Sequence, residues 1–159
     1  MRVEIFDHVA GARAARGIAV VVDVFRAFSV APYAFDGGAA RVLPAGEIEE
    51  ALELGRRFPG ALLVGERHAR RLPGFDAGNS PTEIRALDLR GKVLVHTTHA
   101  GTQGLLNATA ADEVLTGSFV NISAVRRYLE ARAPAQVSIV RMGHEARERC
   151  AEDDLYAEC

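Results

Sequence analysis

Short apolar runs and longer amphipathic runs alternate along the whole chain. The apolar runs predict strands at residues 17–25, 40–45, 61–66, 92–98, 112–118 and 135–142, with an edge strand at 1–6. The amphipathic runs predict helices at residues 26–35, 47–58, 81–87, 102–110 and 122–133. Strands that alternate with helices predict a three-layer α/β fold, in which helices flank a mostly parallel sheet.

Two segments depart from this alternation. Residues 66–81 (ERHARRLPGFDAGNSP) carry prolines, glycines and charges without an apolar face, which predicts a long loop of the kind that often serves function. Residues 144–159 are charged and predict a helix that no strand follows. The length of 159 residues predicts a single domain over 1–159.

Composition and charge exclude several classes of protein. The 19 basic and 21 acidic residues give a net charge of −2, which argues against a nucleic-acid partner. No apolar stretch approaches the length of a membrane span, and the first residues lack the apolar core of a signal peptide. The two cysteines, Cys150 and Cys159, give no disulfide framework. We therefore expect a cytoplasmic protein without a membrane partner.

Polar residues follow the predicted strands, where a parallel sheet binds its ligands. Two of these positions pair a carboxylate with an arginine, Asp23 with Arg26 and Glu66 with Arg67. This combination predicts an anionic substrate held by arginines, with a divalent cation on the carboxylates. The other polar residues that follow strands are Thr98, His99, Gly101, Thr102, Ser118, Asn121, His144 and Glu145.

Each of these residues also has a purely structural interpretation. Asp23 is equally suited to cap the helix that follows it, and Glu66 with Arg67 to form an ion pair within a loop. His96 alternates with apolar residues, which favours a buried core histidine, whereas His99 at the strand exit is the better site candidate. The GNSP segment, 78–81, is typical of a helix start, and its free amides would also suit a phosphate.

Several catalytic motifs are absent. The chain has no GxxxxGK[ST] phosphate loop, no GxGxxG after the first strand and no GxSxG elbow. Nor does it have an HExxH or a His/Cys cluster that would indicate zinc. Oxygen ligands for a hard cation remain, and Mg²⁺ is the ion that such ligands favour.

The strand-exit motifs together resemble the 2-phosphosulfolactate phosphatase family. They are VVDVFRA, GER, GFDAGNSP, HTTHAGT, GSFVNISAV and EDDLYA, and the resemblance runs from about Val21 to Ala157. It implies a phosphoric monoester hydrolase that uses Mg²⁺ to convert 2-phospho-3-sulfolactate to sulfolactate and phosphate, a step of coenzyme M biosynthesis. It also implies a further C-terminal segment beyond the acidic motif.

Carried over by position, the resemblance gives a set of expected site residues. The expected catalytic residues are Asp23, Arg26, Glu66 and Arg67, and the expected metal ligands are Asp23, Glu66, Glu152 and Asp153. We expect the substrate to contact Asn79, Ser80, Thr98, Gly101, Thr102, Ser118 and Asn121, together with His99, which is a candidate because it follows a strand. The chain departs from the family at Ala100, where asparagine is usual, at His68 and Ala69 after GER, where glycine is usual, and at Glu158.

This set suggests a mechanism and leaves two questions open. The arginines would clamp a small anionic phosphorylated substrate, and the amides of Gly101, Thr102 and Ser118 would hold phosphoryl oxygens. The nucleophile is either water, which the absence of a DxDxT motif favours, or Asp23. The alternative function is a non-catalytic anion-binding or interaction protein that retains the fold, which Ala100 favours. A homodimer is one arrangement in which the C-terminal helix would dock.

Overall fold

The computed structural model describes all residues, 1–159, and confirms the α/β class. Its strands are β1 (Arg2–Asp7), β2 (Ile18–Val22), β3 (Arg41–Ala45), β4 (Leu62–Arg67), β5 (Arg70–Arg71), β6 (Val93–Thr97), β7 (Glu113–Gly117) and β8 (Gln136–Arg141). Its helices are α1 (His8–Ala14), α2 (Ala27–Asp36), α3 (Ile48–Arg57), α4 (Pro81–Arg85), α5 (Gly101–Asn107), α6 (Ile122–Arg132) and α7 (Ala151–Glu158). The longest helix has 11 residues, and none of the seven meets the length and apolarity that a membrane span requires.

The strands form two sheets of four rather than the single sheet expected from the alternation. One sheet has the order β1-β8-β2-β7 and is parallel throughout. The other has the order β3-β6-β4-β5 and is parallel except for β5, which pairs antiparallel with β4. Hydrophobic periodicity predicts that strands exist, but it does not specify which strands pair. The division of the strands into two sheets could therefore not be predicted from the sequence.

The burial of each strand follows from its position in its sheet. Every residue of β2 is buried, because neighbouring strands flank it and helices cover both faces. β1 lies at the predicted edge and leaves Val3 and Ile5 about half exposed. The apolar sequence of β2 is therefore typical of an interior strand, and the mixed sequence of β1 is typical of an edge strand.

Helix α5 connects the two sheets. It begins directly after β6 of one sheet and packs against β2 of the other. The approach is close: a Cβ at Gly104 would lie 2.5 Å from Cγ1 of Val21 and 2.6 Å from Sδ of Met142. Phe28 of α2 fills the same core, and burying such a side chain contributes about 2 kcal/mol. This packing brings the carboxyl ends of strands from both sheets to one place.

Two elements were not predicted. Helix α1 buries only Gly11 and Ala12, so its sequence shows no helical apolar face to detect. The two-residue strand β5 lies inside the predicted loop, where a turn at His68 and Ala69 reverses the chain. Both turn residues have left-handed φ values, 53° and 58°, a region that glycine adopts more easily than residues with a Cβ.

The C-terminal helix docks on its own chain. Asp153 and Tyr156 of α7 are buried, and Tyr156 joins the apolar cluster around β2. Arg141 of β8 forms ion pairs with Asp154 of α7 at 3.0 Å and with Asp7 of β1 at 2.8 Å. The helix thus already has a packing surface, and a homodimer stays a prediction.

Candidate functional site

A cleft of about 320 Å³ opens at the carboxyl ends of β2, β4, β6 and β8. Residues from both sheets therefore line the cleft, because α5 packs the two sheets against each other at this edge. Five of the predicted site residues line it, namely Asp23, Arg26, Glu66, Asn79 and His99. Its other lining residues are Phe25, His68, Ala69, Ala100, Gly143, His144 and Glu145.

Asp23 follows β2 and lies at the floor of the cleft, 6% exposed. Its Oδ1 accepts the N–H of Ala27 at 3.0 Å, and the N–H of Gly101 also donates to the carboxylate. The capping interpretation and the site interpretation of Asp23 are therefore compatible. Burial, and then the negative charge of Asp153, raises the pKa of Asp23 to about 7. A carboxyl group with such a pKa can exchange a proton at neutral pH.

Asp153 lies behind Asp23 and does not line the cleft. Its two oxygens accept the N–H of Val24 at 2.9 Å and the N–H of Gly143 at 2.8 Å. Burial raises the pKa of this carboxyl group as well, against the effect of these two hydrogen bonds. Asp153 thus holds the exits of β2 and β8 together and adds negative charge beneath Asp23.

Glu66 ends the buried part of β4 and organises two neighbouring segments. Its Oε1 accepts the N–H of His99 at 3.0 Å, and its Oε2 accepts the N–H of Ala69 at 2.8 Å. No ion pair forms between Glu66 and Arg67, so the loop ion pair considered above is absent. A carboxylate that lines the cleft also fixes the exit of β6 and the turn after β4.

Two side chains offer free donors to the cleft. Arg26 is exposed and makes no side-chain hydrogen bond or ion pair within the chain. Asn79 is buried, and its Oδ1 pairs with Nε2 of His96 at 3.1 Å, which leaves its amide nitrogen without a partner in the chain. Burial lowers the pKa of His96 to about 4, so this ring is neutral and acts as the core histidine predicted.

Arg67, the second predicted clamp, does not line the cleft. Its Nη1 donates to the carbonyl of Glu66 at 2.8 Å, and its Nη2 donates to the carbonyl of Gly46 and to Oγ1 of Thr97, both at 3.0 Å. These bonds fasten β4 to its neighbours. Its contacts are structural, and we do not assign it to the substrate.

The predicted phosphate-binding amides are also occupied by the chain itself. The N–H of Gly101 faces the Asp23 carboxylate and lowers its pKa, and the N–H of Thr102 donates to Oγ1 of Thr98 at 3.2 Å. Oγ1 of Thr102 in turn accepts the N–H of Thr98 at 3.0 Å. These bonds close the turn between β6 and α5, so the N–H of Thr102 is not available to a ligand.

The remaining predicted residues lie outside the cleft. Ser118 donates from Oγ to the carbonyl of Phe28 at 2.6 Å, and its N–H donates to Oδ1 of Asn121 at 2.9 Å. Ser80 starts α4 immediately before Pro81, as the GNSP segment predicts, but makes no side-chain cap. Glu152 is half-buried on α7 and does not line the cleft.

The structure assembles metal-ligating side chains that the sequence did not bring together. His68, His99 and Glu145 each offer one ligand atom, and all three atoms lie within 4.8 Å of one another. The four predicted metal ligands, Asp23, Glu66, Glu152 and Asp153, form no such group. The three clustered residues are far apart in the chain, which is why no spacing motif revealed them. The available signal was position, since each residue follows a strand.

Comparison with known proteins places the chain in a family. Residues 5–159 match the family described as 2-phosphosulpholactate phosphatase. The chain belongs to this family. The resemblance noted in the strand-exit motifs is thereby confirmed, and it extends over almost every element of the fold.

Proteins named "Probable 2-phosphosulfolactate phosphatase" are among the relatives of this family member. The relative from Caldanaerobacter subterraneus is 43% identical over 112 residues, covering 69% of this chain and 46% of its own. The one from Thermotoga petrophila is 45% identical over 114 residues, covering 72% and 49%. The one from Deinococcus radiodurans is 38% identical over 141 residues, covering 88% and 58%. The chain spans about half the length of the first two.

Proposed function

We propose that this chain supplies the catalytic cleft of a phosphatase acting on a small acidic phosphate monoester. The substrate named for its relatives, 2-phosphosulfolactate, is the first candidate. The observation that carries the proposal is the pairing of a buried carboxyl group, Asp23, whose pKa is about 7, with the unpaired guanidinium of Arg26 in one cleft. A coenzyme M pathway role belongs to the same proposal.

Arg26 binds the substrate in this proposal. Its N–H groups are free, and a guanidinium holds phosphate or sulfonate oxygens by two parallel hydrogen bonds. The free amide of Asn79 donates a further hydrogen bond, and its orientation is fixed by His96. Two anionic groups on one small molecule therefore have two separate donors in the cleft that also holds Asp23.

Asp23 moves the proton. The oxygen of a water molecule forms a bond to phosphorus, and the bond from phosphorus to the ester oxygen breaks. The proton lost by the attacking water passes to the Asp23 carboxylate, which later returns it to solvent. The released ester oxygen becomes the product's hydroxyl by taking a proton from a solvent water molecule. A base works best when its pKa lies near the working pH, and the raised pKa of Asp23 meets that condition.

Mg²⁺ is the proposed cofactor, and the residues present are suited to it. Asp23 and Glu66 present carboxylate oxygens to one cleft, and the repulsion that raises the pKa of Asp23 includes the charge of Glu66. A divalent cation would relieve this repulsion, and oxygen is the donor that Mg²⁺ prefers. When bound, the ion would neutralise charge on the phosphoryl group. Glu66 is the residue that would hold the ion, and Asp23 would stay free to act as the base.

The test is phosphate release from 2-phospho-3-sulfolactate and phosphoglycolate, with Mg²⁺ and with chelator. We expect turnover that the chelator abolishes, and Arg26→Ala to lower kcat/KM by about 100-fold or more. Arg127→Ala removes an equally exposed arginine on α6 and is expected to leave turnover unchanged. Absence of release from the folded protein, with substrate still bound, would instead favour the non-catalytic anion-binding function.

A further inference from the structure

Three side chains meet at the mouth of the cleft from three separate segments. His68 lies in the turn between β4 and β5, His99 follows β6, and Glu145 lies in the loop after β8. Nδ1 of His68 is 2.8 Å from Oε1 of Glu145, and Nδ1 of His99 is 3.9 Å from the same oxygen. The two imidazole rings stand edge to face with centroids 4.7 Å apart. One carboxylate oxygen thus faces two imidazole nitrogens.

The Nδ1 atom of His99 has no hydrogen-bond partner although it is buried. The 3.9 Å that separates it from Oε1 of Glu145 is too long for a hydrogen bond. A buried polar atom without a partner destabilises the folded state, because it has lost its hydrogen bonds to water. A cation between Nδ1 of His99 and Oε1 of Glu145 would give this nitrogen the partner that it lacks.

The backbone also holds two of the three residues in costly conformations. His68 and Glu145 have φ values of 53° and 50°, and the next residues, Ala69 and Ala146, have φ values of 58° and 56°. Residues with a Cβ rarely adopt this left-handed region, because the Cβ crowds the neighbouring carbonyl oxygen. These unfavourable conformations occur in the two turns that bring His68 and Glu145 into contact, which indicates a functional role for the two side chains.

Glu66 supports the cluster from below. Its two carboxylate oxygens accept the N–H of His99 and the N–H of Ala69, the residue after His68. Both histidine-bearing segments are therefore anchored to one buried side chain. A fixed backbone beneath the ligands favours binding, since less freedom is lost when the ion arrives.

We propose that His68, His99 and Glu145 form a binding site for a divalent transition metal ion, with Zn²⁺ as its best representative. Two imidazoles and one carboxylate are a ligand set that zinc uses, and imidazole nitrogen selects zinc over Mg²⁺. Ligand atoms around tetrahedral zinc lie about 3.3 Å apart, so small side-chain rotations suffice from the present spacing. Three protein ligands leave a fourth position, which opens toward the cleft.

This site is distinct from the oxygen ligands proposed for Mg²⁺, and its test does not depend on turnover. The protein is stripped with chelator, and Zn²⁺ binding is measured by calorimetry and Co²⁺ binding by its visible absorption. We expect one ion per chain, with binding retained in a large excess of Mg²⁺. Displacement by Mg²⁺ would locate the ion on the carboxylates instead and overturn the proposal.

Variants identify the ligands. His99→Ala and His68→Ala are each expected to weaken Zn²⁺ binding on the order of 100-fold, and Glu145→Gln on the order of tenfold. His144→Ala is the matched control, because its ring lines the same cleft outside the cluster, and it is expected to change affinity by less than about threefold. The His68 side chain is 72% exposed, so its removal does not disturb packing. Equal affinity in wild type, His68→Ala and His99→Ala, or no binding at all, would overturn the proposal.

Discussion

Asp153 hydrogen-bonds the backbone N–H of Val24 at 2.9 Å while its negative charge acts on Asp23, one residue earlier. The helix that carries Asp153 therefore sets both the position of the β2 exit and the acidity of the residue there. Burial alone would raise the pKa of Asp23, and Asp153 raises it further. The acidic motif near the C-terminal end thus acts through Asp23 and not by lining the cleft.

Asp153→Asn should lower the pKa of Asp23, because one negative charge beneath it is removed. The amide can still accept from Val24 but cannot accept from Gly143 as well, so we also expect a loss of about 1–3 kcal/mol in the free energy of unfolding. Carbon-detected NMR titration of the Asp23 carboxyl measures the first effect. Asp154→Asn, one residue further along α7, is the control and should leave the pKa of Asp23 unchanged.

Asp23→Asn should abolish phosphate release and stabilise the metal-free protein above pH 7. The folded-state pKa of about 7 exceeds the ordinary value of 3.8, so folding takes up a proton between these values. The stability cost of the charged group is therefore absent at low pH and is complete above pH 7. We expect a gain of about 1–2 kcal/mol at pH 8 and none at pH 4, measured by urea unfolding. A variant that is less stable at pH 8 than at pH 4, relative to wild type, would contradict this.

His96 should make the protein lose stability as the solution becomes acidic. Its pKa is about 4 in the folded chain and 6.5 when unperturbed, so the unfolded state binds the extra proton first. Stability is complete above pH 6.5 and is lost as the pH falls toward 4. Relative to His96→Gln, wild type should lose about 2 kcal/mol between pH 7 and pH 5 in urea unfolding.

The neighbouring residue on β6 gives the control for this effect. Val95→Ala leaves a cavity at an equally buried position but adds no titrating group. Its destabilisation should be the same at pH 7 and pH 5. If wild type and His96→Gln had the same pH dependence, His96 would bind its proton equally well in the folded and unfolded states, which would contradict this prediction.

Gly101→Ala should damage the site and the fold together. A Cβ there would lie 2.6 Å from Cβ of Ala27 and 2.8 Å from Oδ2 of Asp23, so α5 must move away from the cleft. We expect a loss of about 1–3 kcal/mol in thermal unfolding and a loss of turnover. Gly46→Ala is the control, because the nearest atom is the mobile Cδ1 of Leu106 at 3.3 Å, and its cost should stay below about 1 kcal/mol.

The sequence predicted the elements of the fold better than their arrangement. The apolar runs at 17–25 and 92–98 contain β2 and β6, since burial on both faces leaves a continuous hydrophobic signal. The assignment of these two strands to different sheets depends on strand pairing, which periodicity does not encode. Helix α1 was not predicted for a different reason: it buries only Gly11 and Ala12, so its sequence has no apolar stripe.

For the candidate site, the sequence predicted the edge of the sheet but not the direction of the side chains. Asp23, Arg26 and Glu66 line the cleft, as their positions after strands suggest. Arg67 follows Glu66 directly but turns to the carbonyls of its neighbours, because successive residues of a strand face opposite sides. The contact between His68 and Glu145 could not be predicted, because the two residues lie 77 positions apart in the sequence and meet only in the folded chain.

Two helices link the sheets near the cleft: α5 follows β6 and packs on β2, and α2 follows β2 and packs on β3. Asp23 follows β2 of the first sheet and Glu66 lies in β4 of the second, so a ligand that contacts both is also a crosslink between the two halves of the fold. Binding should therefore convert the halves into one cooperative unfolding unit, and slow amide exchange in both sheets at once would report it. Occupancy of the cleft then becomes a determinant of how the whole chain unfolds.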